Sequence, residues 1–269
     1  MSTTSLSNRV LSHFKSDFDS SYALSTLIEA CSGDCYLVGG AIRDVACGVA
    51  GCGDLDVVVP NDDHRAYKAL ELLGVPFELN SHGNPRYRWN RLQLDVFEPK
   101  NFFSGFSTVQ DALGFFDLRI NALAIHLGSG ALLDPIKGFE CLDQSRVGIN
   151  WPRWDAMPSE EIMVLLIRLV RVLHDVRVLR LERQDANRLL EEVIPRVIDL
   201  DWHSFEHRFP PGKDRFFGLL YSVLNGESPD FHKRLRPENR PRPVTGNAEY
   251  LNEEATHDTL RSVYFGRTV

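Results

Sequence analysis

The stretch from Cys35 to Val59, CYLVGGAIRDVACGVAGCGDLDVVV, constrains the fold more than any other part of the chain. Tyr36, Leu37 and Val38 form a short apolar run stopped by Gly39 and Gly40, the pattern of a strand ending at a tight turn. Ala41 to Ala46 has helix-compatible composition, so the turn opens a helix whose first N–H groups lack a partner within it. Such a helix start attracts anions, and paired glycines let a phosphate approach the backbone closely. A second strand then begins with Asp54-Leu55-Asp56. Side chains alternate along a strand, so both carboxylates point to one face. Like charges so placed repel unless a cation lies between them, and hard oxygen ligands suit Mg²⁺. A phosphate cradle beside a magnesium-binding carboxylate pair is the minimum for phosphoryl or nucleotidyl transfer. Either half alone is ordinary turn chemistry, since Gly and Asp are common loop residues. Their order and the helix-length gap between them carry the information.

The flanking chain supplies the rest of an α+β architecture. Apolar residues from Val10 to Ile28 recur at three and four residues, which predicts helix over Ser5 to Ala30. Pro60-Asn61-Asp62 breaks the second strand and caps a helix through Leu73. Val75 to Leu79 reads as a short strand and Ser81 to Pro85 as a loop. Tyr87-Arg88-Trp89, a turn at Asn90, and Leu92 to Phe97 read as a hairpin. Within it Leu92, Leu94 and Val96 share one face, while Gln93, Asp95 and Phe97 share the other. An acid such as Asp95 in this apolar segment is expected to be paired or metal-bound, or else to lie on an exposed strand face.

Asn101 to Leu113 reads as irregular. GFFDLRINALAIHL then reads as a helix-to-strand transition, with Asp117 and Asn121 four apart on one helical face. Leu132 to Pro135 is a strand end and turn, followed by a short helix over Ile136 to Leu142. From Ser159, a plausible N-cap, Ile162, Met163, Leu165, Leu166, Leu169, Val170, Val172 and Leu173 form a helical stripe. Arg168, Arg171 and Asp175 fall on the other side, where a solvated face is the simplest reading. A helix over Leu181 to Val193 is expected to end near Pro195, with one more packed helix beyond Asp201. The proline- and charge-rich segment after Phe231 is expected to be extended or disordered.

Composition excludes some classes of function. The 269 residues include 43% hydrophobic and 25% charged side chains, ordinary for a globular protein with a sizeable core. No apolar run approaches a membrane span, and the N-terminus lacks the apolar core of a secretory signal, so a cytoplasmic location is expected. The five cysteines, Cys31, Cys35, Cys47, Cys52 and Cys141, fit no secreted framework. The pairs Cys31/Cys35 and Cys47/Cys52 suggest zinc only loosely, because their spacings are wide, and reduced thiols are the better reading. A net charge of −7 argues against a surface coated with phosphate contacts, though not against a local basic stripe. Such a stripe has candidates at His64-Arg65, at Arg86, Arg88 and Arg91, along Arg168 to Arg183, and after Lys233.

LVGGAIRD, then DLD, then an aspartate on a later strand, then FDLRINALAI and LLDPIKGFECL follow a familiar order. From about Cys35 to Asp175 the chain resembles the head of class II CCA-adding enzymes and bacterial poly(A) polymerases. The resemblance implies a polymerase-β-like nucleotidyltransferase head with a mixed sheet flanked by helices over 1–150. A small all-helical neck-like region would follow over 151–230, with a flexible tail over 231–269. It implies that Gly39, Gly40 and Arg43 hold the triphosphate. Asp54 and Asp56 would ligate two Mg²⁺ ions, which Mn²⁺ can replace, with Asp95 as the third carboxylate. Asp117, Arg119 and Asn121 fall in the family's RRDFTINA motif, and Arg168 and Arg171 in the neck helix that contacts the incoming nucleotide.

The chain also departs from that pattern. Phe115 and Phe116 stand where the family has two arginines, and Arg119 replaces its threonine. The EDxxR motif of the neck reads SEEIMVLLIR, so the base-reading positions become Ile162 and Leu165, with Glu160 and Glu161 nearby. Apolar side chains cannot supply the hydrogen bonds that choose one base over another. The family's body and tail have no counterpart after 231–269, so the chain reads as a divergent, truncated relative. The expected substrate is an NTP, and the acceptor an RNA 3′ end of tRNA type. A small molecule, a protein, or no reaction at all in a binding-only relative are the alternatives.

Overall fold

The computed structural model of the chain describes residues 1–49, 54–60, 65–72, 74, 76–79, 84–89, 91–102 and 106–226. Cys52, the cap at Asn61-Asp62, residues 81–83, the Asn90 turn and the tail from 231 lie outside these.

The N-terminal helical stretch is two helices, α1 (Thr3–Ser16) and α2 (Phe18–Ala30), divided at Asp17. Asp17 takes an extended backbone and accepts from the Ser20 N–H at 2.9 Å, capping the second helix. The Asp-x-x-Ser spacing overrode the continuous apolar period. β1 (Tyr36–Val38), α3 (Gly40–Ala46) and β2 (Asp54–Val58) follow as expected. α4 (Arg65–Leu72) and the strands β3 (Phe77–Leu79), β4 (Pro85–Trp89) and β5 (Leu92–Phe97) complete the first half of the sheet. α5 (Pro99–Phe102) leads to α6 (Val109–Gly114), a helix inside the stretch expected to be irregular. Its signal is a capping box in which Thr108 and Asp111 each bind the other's backbone N–H. β6 (Ala124–His126) and β7 (Leu132–Leu133) close the sheet, and α7 (Gly138–Asp143) follows.

Seven strands run in the order β3-β4-β5-β2-β1-β6-β7. β2 and β5 are parallel and the other neighbours antiparallel, giving the mixed sheet that was expected. The central strands are covered on both faces, as a parallel pair requires. On one face Leu37, Leu55, Val57, Leu94, Val96 and Ile125 join the main core, with side chains of α1 to α4. The other face carries a smaller cluster of Val38, Val58, Phe97 and Ala124 under Val109 and Leu113 of α6, with Phe116 packed against it.

Beyond the sheet, Arg146–Val147 (β8) pairs in parallel with Arg180–Leu181 (β9), and α8 (Trp151–Asp155) precedes α9 (Ser159–Asp175). The expected stripe of α9 is buried throughout, from Ile162 to Leu173. The residue before its first turn is Pro158 and not Ser159, whose side chain therefore does not cap. The next helix begins later and ends later than the pattern suggests. α10 (Arg183–Arg188) passes through a wide turn at Leu189–Val193 into α11 (Ile194–Val197). Pro195 lies in the first turn of α11, where a missing N–H costs nothing, so it continues the run that it was expected to end. α12 (Lys213–Leu224) packs Phe216 and Leu220 into the same core. No helix among the described residues is long and apolar enough to cross a membrane.

Candidate active site

Strand register brings the acidic residues together. Asp56 lies opposite Asp95 across the parallel β2–β5 pair and opposite Val38 across β1. Asp54 is opposite Gln93, whose amide Nε2 donates to the Asp54 carboxylate at 2.5 Å. All three carboxylates therefore lie on the sheet face that also carries Val38, Val58 and Phe97, bordering that apolar cluster where Asp56 meets Val38.

The glycine turn closes over this point. Gly39 has φ +81°, a conformation that side chains other than hydrogen disfavour. A Cβ there would sit 3.4 Å from Asp56 Oδ2 and 3.7 Å from Phe116 Cε1, so glycine also provides the clearance beside Asp56. The Gly39 N–H is not free for a phosphate, because it donates to the Leu123 carbonyl at 3.2 Å. Behind the turn, the Arg43 guanidinium lies over Gly40, 3.2 Å from where a Cβ would be. It donates to Asp44 and to Asn121 Oδ1, each at 2.7 Å.

Burial and mutual repulsion perturb the acids. Burial first, then the charges of Asp95 and Asp54, push Asp56 up to about 7, with Arg86 and Arg168 partly offsetting the rise. Asp54 is raised by the same two causes, burial ahead of Asp95, and the hydrogen bond from Gln93 moderates it. Asp95 is buried, and a fork of Arg86 Nε and Nη2 donates to its two oxygens, both at 2.8 Å. The expectation that Asp95 must be paired or metal-bound is met here by pairing.

These observations bear on a divalent ion. Adjacent carboxylates, of which Asp54 and Asp56 resist losing their protons, are the donor chemistry a hard cation relieves, so the residues fit magnesium in kind. Among the described residues no group of three His, Cys, Asp or Glu side chains is arranged to hold a metal. The Arg86 fork engages both oxygens of Asp95.

Asp117 and Asn121 do not share a helical face. Only Arg119–Asn121 makes a helical turn, a short 3₁₀ one, and Asp117 lies at a bend before Leu118, whose extended backbone bridges Ile149. Even so, both face arginines of the candidate site. Buried Asp117 accepts from Arg168 Nη1 at 2.8 Å and from the Leu118 N–H at 3.0 Å. Its carbonyl accepts from the Asn150 N–H and from Trp154 Nε1, both at 3.0 Å. Asn150 and Trp154 were not singled out in the sequence, where an Asn before a Trp-rich helix gives only a cap-like signal.

Two other arginines point elsewhere. Arg119 donates to the carbonyls of Ile136 at 2.8 Å and Lys137 at 3.1 Å, bracing the turn before α7. Arg171 donates to the Arg208 carbonyl. Ile162 and Leu165 are 0% and 6% exposed, so the positions that would read the base are core residues. Phe116 belongs to the small apolar cluster, and the Phe115 ring lies 3.6 Å under the Arg153 guanidinium. The four described cysteines, Cys31, Cys35, Cys47 and Cys141, are thiols, and burial raises the pKa of Cys47 and Cys141.

No family model and no curated protein matches the chain. Solved structures do. A CCA-adding enzyme in an apo form matches with TM-score 0.58 and 18% identity, over 84% of this chain and 55% of that one. A tRNA-processing enzyme in an apo form matches with TM-score 0.55 and 20% identity, over 76% and 56%. The Thermotoga maritima CCA-adding enzyme, solved with tRNA, matches with TM-score 0.54 and 17% identity, over 82% and 50%. The chain thus spans about half the length of these proteins. At such identities the likeness establishes the fold alone, a mixed seven-stranded sheet flanked by helices. The chain shares this fold with CCA-adding and tRNA-processing enzymes at 17–20% identity.

Proposed function

We propose that the chain is a metal-dependent nucleotidyltransferase that moves a nucleoside monophosphate from an NTP to the 3′ hydroxyl of an RNA, of tRNA type. The observation that carries this reading is the register of Asp56 against Asp95, with Asp54 two residues away and the Gly39 turn at the same point. The proteins of similar fold are CCA-adding and tRNA-processing enzymes, one of them solved with tRNA.

Asp54, Asp56 and Asp95 would hold magnesium, which when bound supplies charge neutralisation of the triphosphate and a lower pKa for the acceptor hydroxyl. The chain's own residues bind and orient. Gly39 leaves room beside Asp56 for a phosphate oxygen, since its missing side chain is what clears that space. Arg43 and Arg168 are the cations that fix the triphosphate in line, held in place by Asn121 and Asp117 respectively. The apolar cluster beneath Phe116 keeps water from the floor of the site.

Incubating the protein with each labelled NTP in turn, Mg²⁺ and total RNA tests the reading. RNA labelled at its 3′ end is the expected outcome. Label on protein or on small molecules would overturn the acceptor, and no turnover with any NTP would overturn the activity.

A further inference from the structure

Arg86 faces Asp95 because of hairpin register, not by chance of side-chain rotation. Across β4–β5 it is the residue opposite Asp95, and across β2–β5 Asp95 is opposite Asp56. The guanidinium is held in plane by two hydrogen bonds of 2.8 Å to a carboxylate whose side chain is only 10% exposed. A bidentate, partly desolvated pair of this kind is among the stronger polar contacts a protein makes. It also places a fixed positive charge at the third carboxylate of the trio. A divalent ion that takes Asp95 as a ligand must approach that charge and draw the carboxylate out of the fork.

We infer that Arg86 is an internal counter-ion that competes with the metal for Asp95, so that the chain alone binds its metal weakly. The inference rests on the nucleotidyl-transfer reading only in assuming that Asp54, Asp56 and Asp95 form one metal site. Arg86 is a positioning residue in this scheme. It keeps the acidic strands from repelling one another and makes recruitment of the third ligand conditional on a stronger competitor, the metal delivered with a nucleoside triphosphate.

The experiment is direct Mn²⁺ titration of the full chain without nucleotide, followed by loss of the free-ion electron paramagnetic resonance signal. Arg86→Gln is expected to bind Mn²⁺ about tenfold more tightly than the unaltered protein, the scale of one lost charge-assisted pair. Arg88→Gln removes the same charge two residues along the strand, from an arginine bound to Glu78. It is expected to change affinity less than about twofold, as suits an exposed pair. Equal or weaker binding by Arg86→Gln overturns the inference, as does equal tightening by both variants, which would reduce the effect to net charge. Should the glutamine variant not fold, Arg86→Lys keeps the charge but loses the fork, and about threefold tightening is expected. If the unaltered chain, Arg86→Gln and Asp54→Ala all fail to bind Mn²⁺, the metal-site reading itself falls and this inference with it. Binding that is lost in Asp54→Ala but unchanged in Arg86→Gln removes only the role of Arg86.

Discussion

The two faces of the sheet use the same strands for opposite purposes. Leu55, Val57, Leu94 and Val96 point into the main core beneath the N-terminal helices. Asp54, Asp56 and Asp95, their immediate neighbours, point the other way, onto the face that carries the smaller apolar cluster under α6. The first face gains stability from every residue. The second concentrates negative charge on adjacent strands, which costs stability unless something positive offsets it, and Arg86 and Arg168 are the cations that lower the Asp56 pKa. A face kept at such a cost is best explained by binding.

The largest effect expected from this contrast is on activity. Asp54→Ala should lower nucleotidyl transfer by about 10³-fold, the scale of losing a group that stabilises transition-state charge. Its circular dichroism and thermal midpoint should be unchanged or slightly improved, and a fall in stability together with activity would break the comparison. On the opposite face the effects should reverse. Leu94→Ala is expected to cost about 2–5 kcal/mol in denaturant unfolding, because a 2% exposed leucine leaves a cavity. Any loss of activity should follow the folded fraction alone.

The smallest effect expected concerns pH. Asp56 is raised to about 7 in the folded chain, above its unfolded value of about 4. The folded state therefore holds this proton more tightly than the unfolded one. Its contribution is fully present below pH 4 and is lost as pH rises through about 7. Between those limits, in chelator, the unaltered chain should lose roughly 2 kcal/mol that Asp56→Asn does not lose, after allowing for solvent screening. Parallel stability curves for the two proteins across that range would refute the repulsion argument.

Much of this could be read along the chain. Strand, glycine turn, helix and acidic strand in Cys35 to Val59 are local patterns, set by alternation, glycine conformation and apolar period. The same holds for the hairpin, the buried stripe of α9 and the three candidate carboxylates. Where local signals competed, the reading failed, as at Asp17, whose cap divides a continuous helical period, and at Pro195, which a wide turn absorbs. The break at Asp117 failed for a different reason, since the bridge from Leu118 to Ile149 is a long-range contact that overrides helical spacing.

Partnership was decided by the tertiary structure. Period and turn chemistry place Asp95 on a face, but a partner is chosen by which strand lies next to it, and strand order is set by the packing of the whole sheet. Only there do Asp56 and Arg86 come to flank Asp95 from either side, and only the docking of α9 puts Arg168 against Asp117 while turning Arg171 toward Arg208. Residue types and their alternation are local, so the chain carries its candidate chemistry in one dimension. Electrostatic coupling depends on distance in three, and distances between strands do not exist until the fold does.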